Sequence, residues 1–112
     1  MNSVEDLDVF KLAHQLALKI YSVSKTFPKV EIYSLVDQMR RAAASVGMNL
    51  MEGAMRLGSK EYRQFVGIAR GSAGEVRSML CLLERLLTSE RDGLDLHDLK
   101  ARSESISRQL GR

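Results

Sequence analysis

The chain has 112 residues, 45% of them hydrophobic and 28% charged, enough to bury one core without disulfide or metal support. One proline and no tryptophan favour helices over a turn-rich β design, and no stretch approaches the roughly 20 apolar residues of a membrane helix. Lys and Arg number 17 against 14 Asp and Glu, an excess too mild to argue alone for a nucleic-acid ligand.

The segment Met1 to Asp8 is acidic and has no apolar stretch of the kind a signal peptide carries. Together with the single cysteine, Cys81, which excludes an intrachain disulfide, this points to a reducing cytoplasm.

The first helix is expected from about Leu7 to Thr26, capped by Asp6 or Asp8. Val9, Ala13, Leu16, Ile20, Val23 and Phe27 recur in alternating steps of four and three, an inward-facing seam. Pro28 stops it, because its ring removes a backbone donor and restricts Phe27.

The second helix is expected from about residue 30 to Met55. Its core stripe is Leu35, Met39, Ala42, Val46, Leu50 and Gly53, widened by Val36 and Ala43. A second apolar stripe, Ala44, Met48, Met51 and Met55, lies well around the helix from the first. A surface helix of a monomer has one apolar stripe and one polar face, so two stripes imply burial on two sides. Methionine as flexible core filler is the plainer alternative.

The third helix is expected from Ser59, read as its cap, to about Ser89, with Glu61 placed to favour its N-terminal dipole. At about 100° per residue, Tyr62, Phe65, Ile68, Ala69, Val76, Met79, Leu83, Leu86 and Leu87 gather on one broad face. Opposite lie Gly67, Gly71, Gly74 and Ser78, beside Arg56, Arg63, Arg70 and Arg77 at seven-residue intervals. A glycine inside a helix costs about 0.8–1 kcal/mol against alanine. The usual return is close approach by another backbone or a ligand, so Gly67, Gly71 and Gly74 join Ala44, Met48, Met51 and Met55 as expected oligomer-interface positions.

Asp92-Gly93 signals a turn, and a fourth helix follows from about Leu94 to Leu110, with Leu96, Leu99, Ile106 and Leu110 inward and Ser103 interrupting the stripe. Short connections make neighbouring helices antiparallel. The expected fold is therefore one all-α domain, an up-down-up-down four-helix bundle.

No enzymatic site is expected. His14 and His97 stand on different helices without a metal-ligand neighbour at useful spacing, and the Glu-x-x-His pattern of bundle di-iron sites is absent. Cys81 reads as a small packing residue. No metal or cofactor is expected. Basic charge is concentrated between positions 40 and 85, where Arg40, Arg41, Arg56, Lys60, Arg63, Arg70, Arg77 and Arg85 face Glu52, Glu61, Glu75 and Glu84. The first seven of these are candidate phosphate contacts. Two other readings stay open: a solvated helix face, or intersubunit pairs with Glu52 or Glu75.

Several motifs occur in order. Asp6-Leu7-Asp8-Val9-Phe10-Lys11 precedes Ala13, and Phe27-Pro28 precedes Gln38-Met39-Arg40-Arg41-Ala42-Ala43. Ser45-Val46-Gly47-Met48-Asn49-Leu50-Met51-Glu52-Gly53 follows, then Ser59-Lys60-Glu61-Tyr62 with Phe65, and Ile68-Ala69-Arg70-Gly71-Ser72. Over about residues 6 to 90 the chain resembles the bacterial four-helix bundle proteins encoded in 23S rRNA intervening sequences. That family also includes the accessory variability protein of diversity-generating retroelements. The resemblance implies a bundle that assembles as a homopentameric ring. It further implies RNA or DNA, or a reverse transcriptase, as partners; no membrane is expected, for want of a long apolar stretch. Gly47 stands where the family usually has proline, and Phe10 where it often has tryptophan or tyrosine, so a softer kink is expected in the second helix.

Overall fold

The computed structural model describes residues 4–28 and 32–111. A single 3-10 turn, Val4–Asp6, leads into four helices: α1 (Asp8–Ser24), α2 (Tyr33–Ala54), α3 (Ser59–Leu86) and α4 (Glu90–Leu110). Each helix packs on its chain neighbours and α1 closes against α4. The diagonal pairs α1–α3 and α2–α4 do not bring Cα atoms within 8 Å among the described residues. This is the four-helix bundle expected from the short connections, drawn out to 46 × 22 × 20 Å.

The seam of α1 behaves as its spacing requires. Ala13, Leu16, Ile20 and, beyond the helix end, Phe27 are buried, joined by Phe10 one position off the seam. The helix ends at Ser24, ahead of Pro28, where Thr26 donates its hydroxyl to the Val23 carbonyl at 2.8 Å. At its start Leu7 is the cap residue and no side chain caps it, while Asp8 lies in the first turn. The stripe of α2 is also buried: Met39, Ala42, Val46, Leu50 and Gly53, with Val36 and Ala43. The expected beginning of α2 near residue 30 falls outside the described residues. The helix runs unbroken through Gly47, which is buried beneath the His14 ring; a Cβ at Gly47 would stand 3.0 Å from His14 Cδ2.

Helix α3 differs in phase from the sequence reading. Its buried residues are Ala69, Ser72, Ala73, Val76, Leu80 and Leu83, whereas Ile68 is 51% exposed and Leu86 57%. The inward line begins with the small residues Ala69, Ser72 and Ala73 and continues with the larger Val76, Leu80 and Leu83. Small side chains in that first half let the neighbouring backbones approach. Gly53 of α2 serves the same closeness: a Cβ there would stand 2.9 Å from Phe65 Cβ and 3.3 Å from the Tyr62 carbonyl oxygen.

The ends of α3 and α4 also shift. Gly58, extended, is the cap residue of α3, and Ser59 begins the helix without a capping hydrogen bond. Helix α4 begins at Glu90, and Asp92 and Gly93 lie in its first turn. The Ser89 hydroxyl accepts from the Asp92 N–H at 3.1 Å, so the pair read as a turn signal belongs to a helix N-terminus. Ser103 is fully buried on the inward stripe, and its hydroxyl donates to the Lys100 carbonyl at 2.8 Å. The polar interruption is thus satisfied within its own helix.

Candidate functional site

The outward side of α3 carries the most unusual surface. Gly67, Gly71 and Gly74 are exposed, and beyond the adjoining backbone of α3 a Cβ at any of them would meet nothing within 4 Å. Among the described residues their small size therefore serves no packing contact with another element. Lys60 and Arg85 share that side, while Arg63 and Arg70 lie along its edge toward α4, at about 100° per residue. No carboxylate stands among them. Glu75 lies on the flank facing the α2–α3 groove, and Glu84 is turned to Lys100, which donates to it at 2.8 Å. Among the described residues, Lys60, Arg63, Arg70 and Arg85 form no ion pair.

The other basic candidates are engaged within the chain. Arg40 donates from Nε to the Ser24 hydroxyl at 2.9 Å and from a terminal nitrogen to the Tyr21 carbonyl at 3.3 Å. Its guanidinium lies 4.9 Å from the Tyr21 ring centroid. Arg41 pairs with Asp37 one turn earlier in α2. Arg56 lies in the α2–α3 turn, outside α3, where it pairs with Glu52 and covers the Phe65 ring at 4.9 Å. Arg77 reaches Glu104 of α4 at 3.0 Å. The seven-residue arginine series therefore divides: among the described residues Arg63 and Arg70 have no ion-pair partner, Arg77 bridges to α4, and Arg56 belongs to the turn.

On α2 the second apolar stripe faces away from the core at two positions, Met48 at 67% and Met55 at 73% exposure. Ala44 is half-buried, and Met51, also half-buried, packs against the core. Leu18 of α1, which the seam pattern leaves off the core, is exposed beside Ala44 and Met48 in a shallow groove with His14. Its apolar character at an off-seam position was the available sequence signal.

Both histidines are exposed, and no group of three potential metal ligands occurs among the described residues. Cys81 is exposed on α3, near the glycine and arginine face. It lies beside Lys100, whose ammonium Glu84 holds above the ordinary lysine range. Among the described residues, no helix is long and apolar enough to cross a membrane.

No curated protein matches the chain. Among solved structures, a protein of unknown function from the S23 ribosomal protein family of Bacteroides thetaiotaomicron superposes with a TM-score of 0.78 at 22% identity, covering 91% of this chain and 94% of that one. At that identity the likeness establishes the shared fold. The family model described as 23S rRNA-intervening sequence protein matches residues 5–112, and the chain belongs to that family.

Proposed function

We propose that this chain is a non-enzymatic, self-associating bundle that binds RNA or DNA through the outward side of α3. One observation carries the reading: Lys60, Arg63, Arg70 and Arg85 have no ion-pair partner among the described residues and flank three glycines that face open space. Unpaired guanidiniums on a low, carboxylate-free surface suit a phosphate backbone, because phosphate can approach the helix without a Cβ in the way. Contacts of this kind position a strand and read no bases, so weak sequence preference accompanies them.

Self-association is assigned to the other side of the bundle, where Leu18, Met48 and Met55 leave apolar surface in water. Burying the α3 face instead would desolvate four cations with no carboxylate of their own surface to receive them. The pentameric ring follows from the resemblance described above. A ring would repeat the basic face around its axis and strengthen the attraction for polyanions. Fluorescence anisotropy with a labelled RNA duplex at about 50 mM salt tests the binding. Wild-type protein should bind, and Arg63→Gln with Arg70→Gln should weaken it while light scattering shows an unchanged assembly. If the double variant instead falls apart, the arginines are interface residues. If neither RNA nor DNA binds, a protein scaffold becomes the better reading, including an accessory role beside a reverse transcriptase. The exposed Leu18–Met48 surface favours that second reading.

A further inference from the structure

A cleft of about 420 Å³ lies between the start of α1, the first half of α3 and the end of α4. Its floor is aliphatic, with Leu7, Leu50, Val66 and Leu110 contributing. Arg63 and Arg70 both line it, and no lining residue among those described is acidic. Arg70 is held at the α4 side by a glycine: a Cβ at Gly111 would stand 3.2 Å from the Arg70 Cζ and 3.3 Å from Nε. A larger residue there would displace the guanidinium. Gly67, one turn from each arginine, leaves the surface between them without a side chain. Besides the arginines, only Tyr62 and Gln109 among the described residues bring side-chain hydrogen-bonding groups to it.

We propose that this cleft binds a medium-chain aliphatic carboxylate, its head on the Arg70 and Arg63 guanidiniums and its hydrocarbon chain on Val66 and Leu110. The planar guanidinium fork matches a carboxylate in two parallel hydrogen bonds. The aliphatic floor suits a chain better than a ring that needs hydrogen-bond partners. The inference goes beyond nucleic-acid binding but shares Arg63 and Arg70 with it, so a bound carboxylate competes with a polyanion for this edge of α3.

The test uses octanoate, with octylammonium as the opposite-charge control, titrated into the full chain without nucleic acid and followed by calorimetry and amide NMR. Octanoate should bind saturably, one per chain, at about millimolar affinity or tighter, and shift the amides of Val66, Gly67 and Gly111. Octylammonium should bind about tenfold or more weakly, and Arg70→Gln should weaken octanoate by about tenfold, the scale of one charge-assisted hydrogen-bonded pair. Arg85→Gln, on the same helix but outside the cleft, should leave octanoate affinity unchanged. Equal binding of the two amphiphiles, equal loss in Arg70→Gln and Arg85→Gln, or shifts confined to Leu18 and Met48 would overturn the proposal. Because nucleic acid is absent, its failure is separate from failure of the polyanion reading.

Discussion

Arg40 Nε donates to the Ser24 hydroxyl at 2.9 Å and so fastens the middle of α2 to the last turn of α1. The same guanidinium reaches the Tyr21 carbonyl and lies against the Tyr21 ring. A carbonyl near the C-terminus of α1 gains a cationic partner in this way, which is favourable for an end that carries partial negative charge. Arg40→Met keeps most of the apolar stem and removes these polar contacts. It should cost about 1–2 kcal/mol in chemical denaturation. Nucleic-acid affinity should change little, because Arg40 is turned to the protein.

The glycines of α2 and α3 give opposite expectations. Gly53→Ala places a methyl group 2.9 Å from Phe65 Cβ, with the Tyr62 carbonyl behind it, and should destabilise the fold by about 1–3 kcal/mol. Gly71→Ala meets open space and should stabilise the protomer by up to about 1 kcal/mol through helix propensity alone. Thermal denaturation of the two variants measures both. If Gly71→Ala is destabilising at concentrations where the protein is assembled but stabilising where it is dissociated, another backbone packs on this face.

Much of the bundle was legible in the sequence, and the misreadings have physical causes. The stripes of α1 and α2 lie where their periodicity puts them, because large apolar residues recur at inward positions. In α3, Ala69, Val76, Leu83 and Leu87 are buried as the expected face requires, but Ile68 and Leu86 are exposed, and Ala73 and Leu80, left off that face, are buried. Apolar residues stand on both sides of the inward line, so hydrophobicity alone sets its centre off by part of a turn. The start of α4 was missed because Asp92-Gly93 has the composition of a turn, while its physics is that of a first helical turn capped by Ser89. The candidate arginines were visible as charges. Whether each was paired depended on Asp37, Glu52, Ser24 and Glu104, and of these only the i,i+4 partners Asp37 and Glu52 are readable from spacing.

The exposed methionines make a test of assembly that Met51 does not. Met51 packs against the core, so a charge there would disturb the protomer as well. Met48→Asp should leave helicity by circular dichroism nearly unchanged and reduce the mass seen by light scattering at micromolar concentration. An unchanged assembly would remove the apolar side of α1 and α2 from the interface.

Stability toward acid has one identifiable local contribution. The Asp98 carboxylate accepts from Arg102 at 3.0 Å and from Lys19 of α1 at 3.1 Å, and these partners hold it below its ordinary value of 3.8. A carboxyl with a lowered value in the folded state stabilises the fold above its unfolded value and loses that contribution as pH falls through the folded one. The group is half-exposed, so screening limits the effect to under about 1 kcal/mol. Asp98→Asn should lower the melting temperature slightly at neutral pH. In acid, once the native carboxyl is protonated, the two proteins should converge.

The most direct test of the account is the salt dependence of RNA binding by wild type and by the Lys60→Gln, Arg63→Gln, Arg70→Gln triple variant. Each phosphate contact releases counterions, so the slope of log affinity against log salt counts the contacts. Wild type should show a steep slope and the triple variant one shallower by about 2–3, at unchanged oligomer size. An unchanged slope, or no binding by wild-type protein to either RNA or DNA at low salt, would contradict the assignment of the outward side of α3 as the polyanion face.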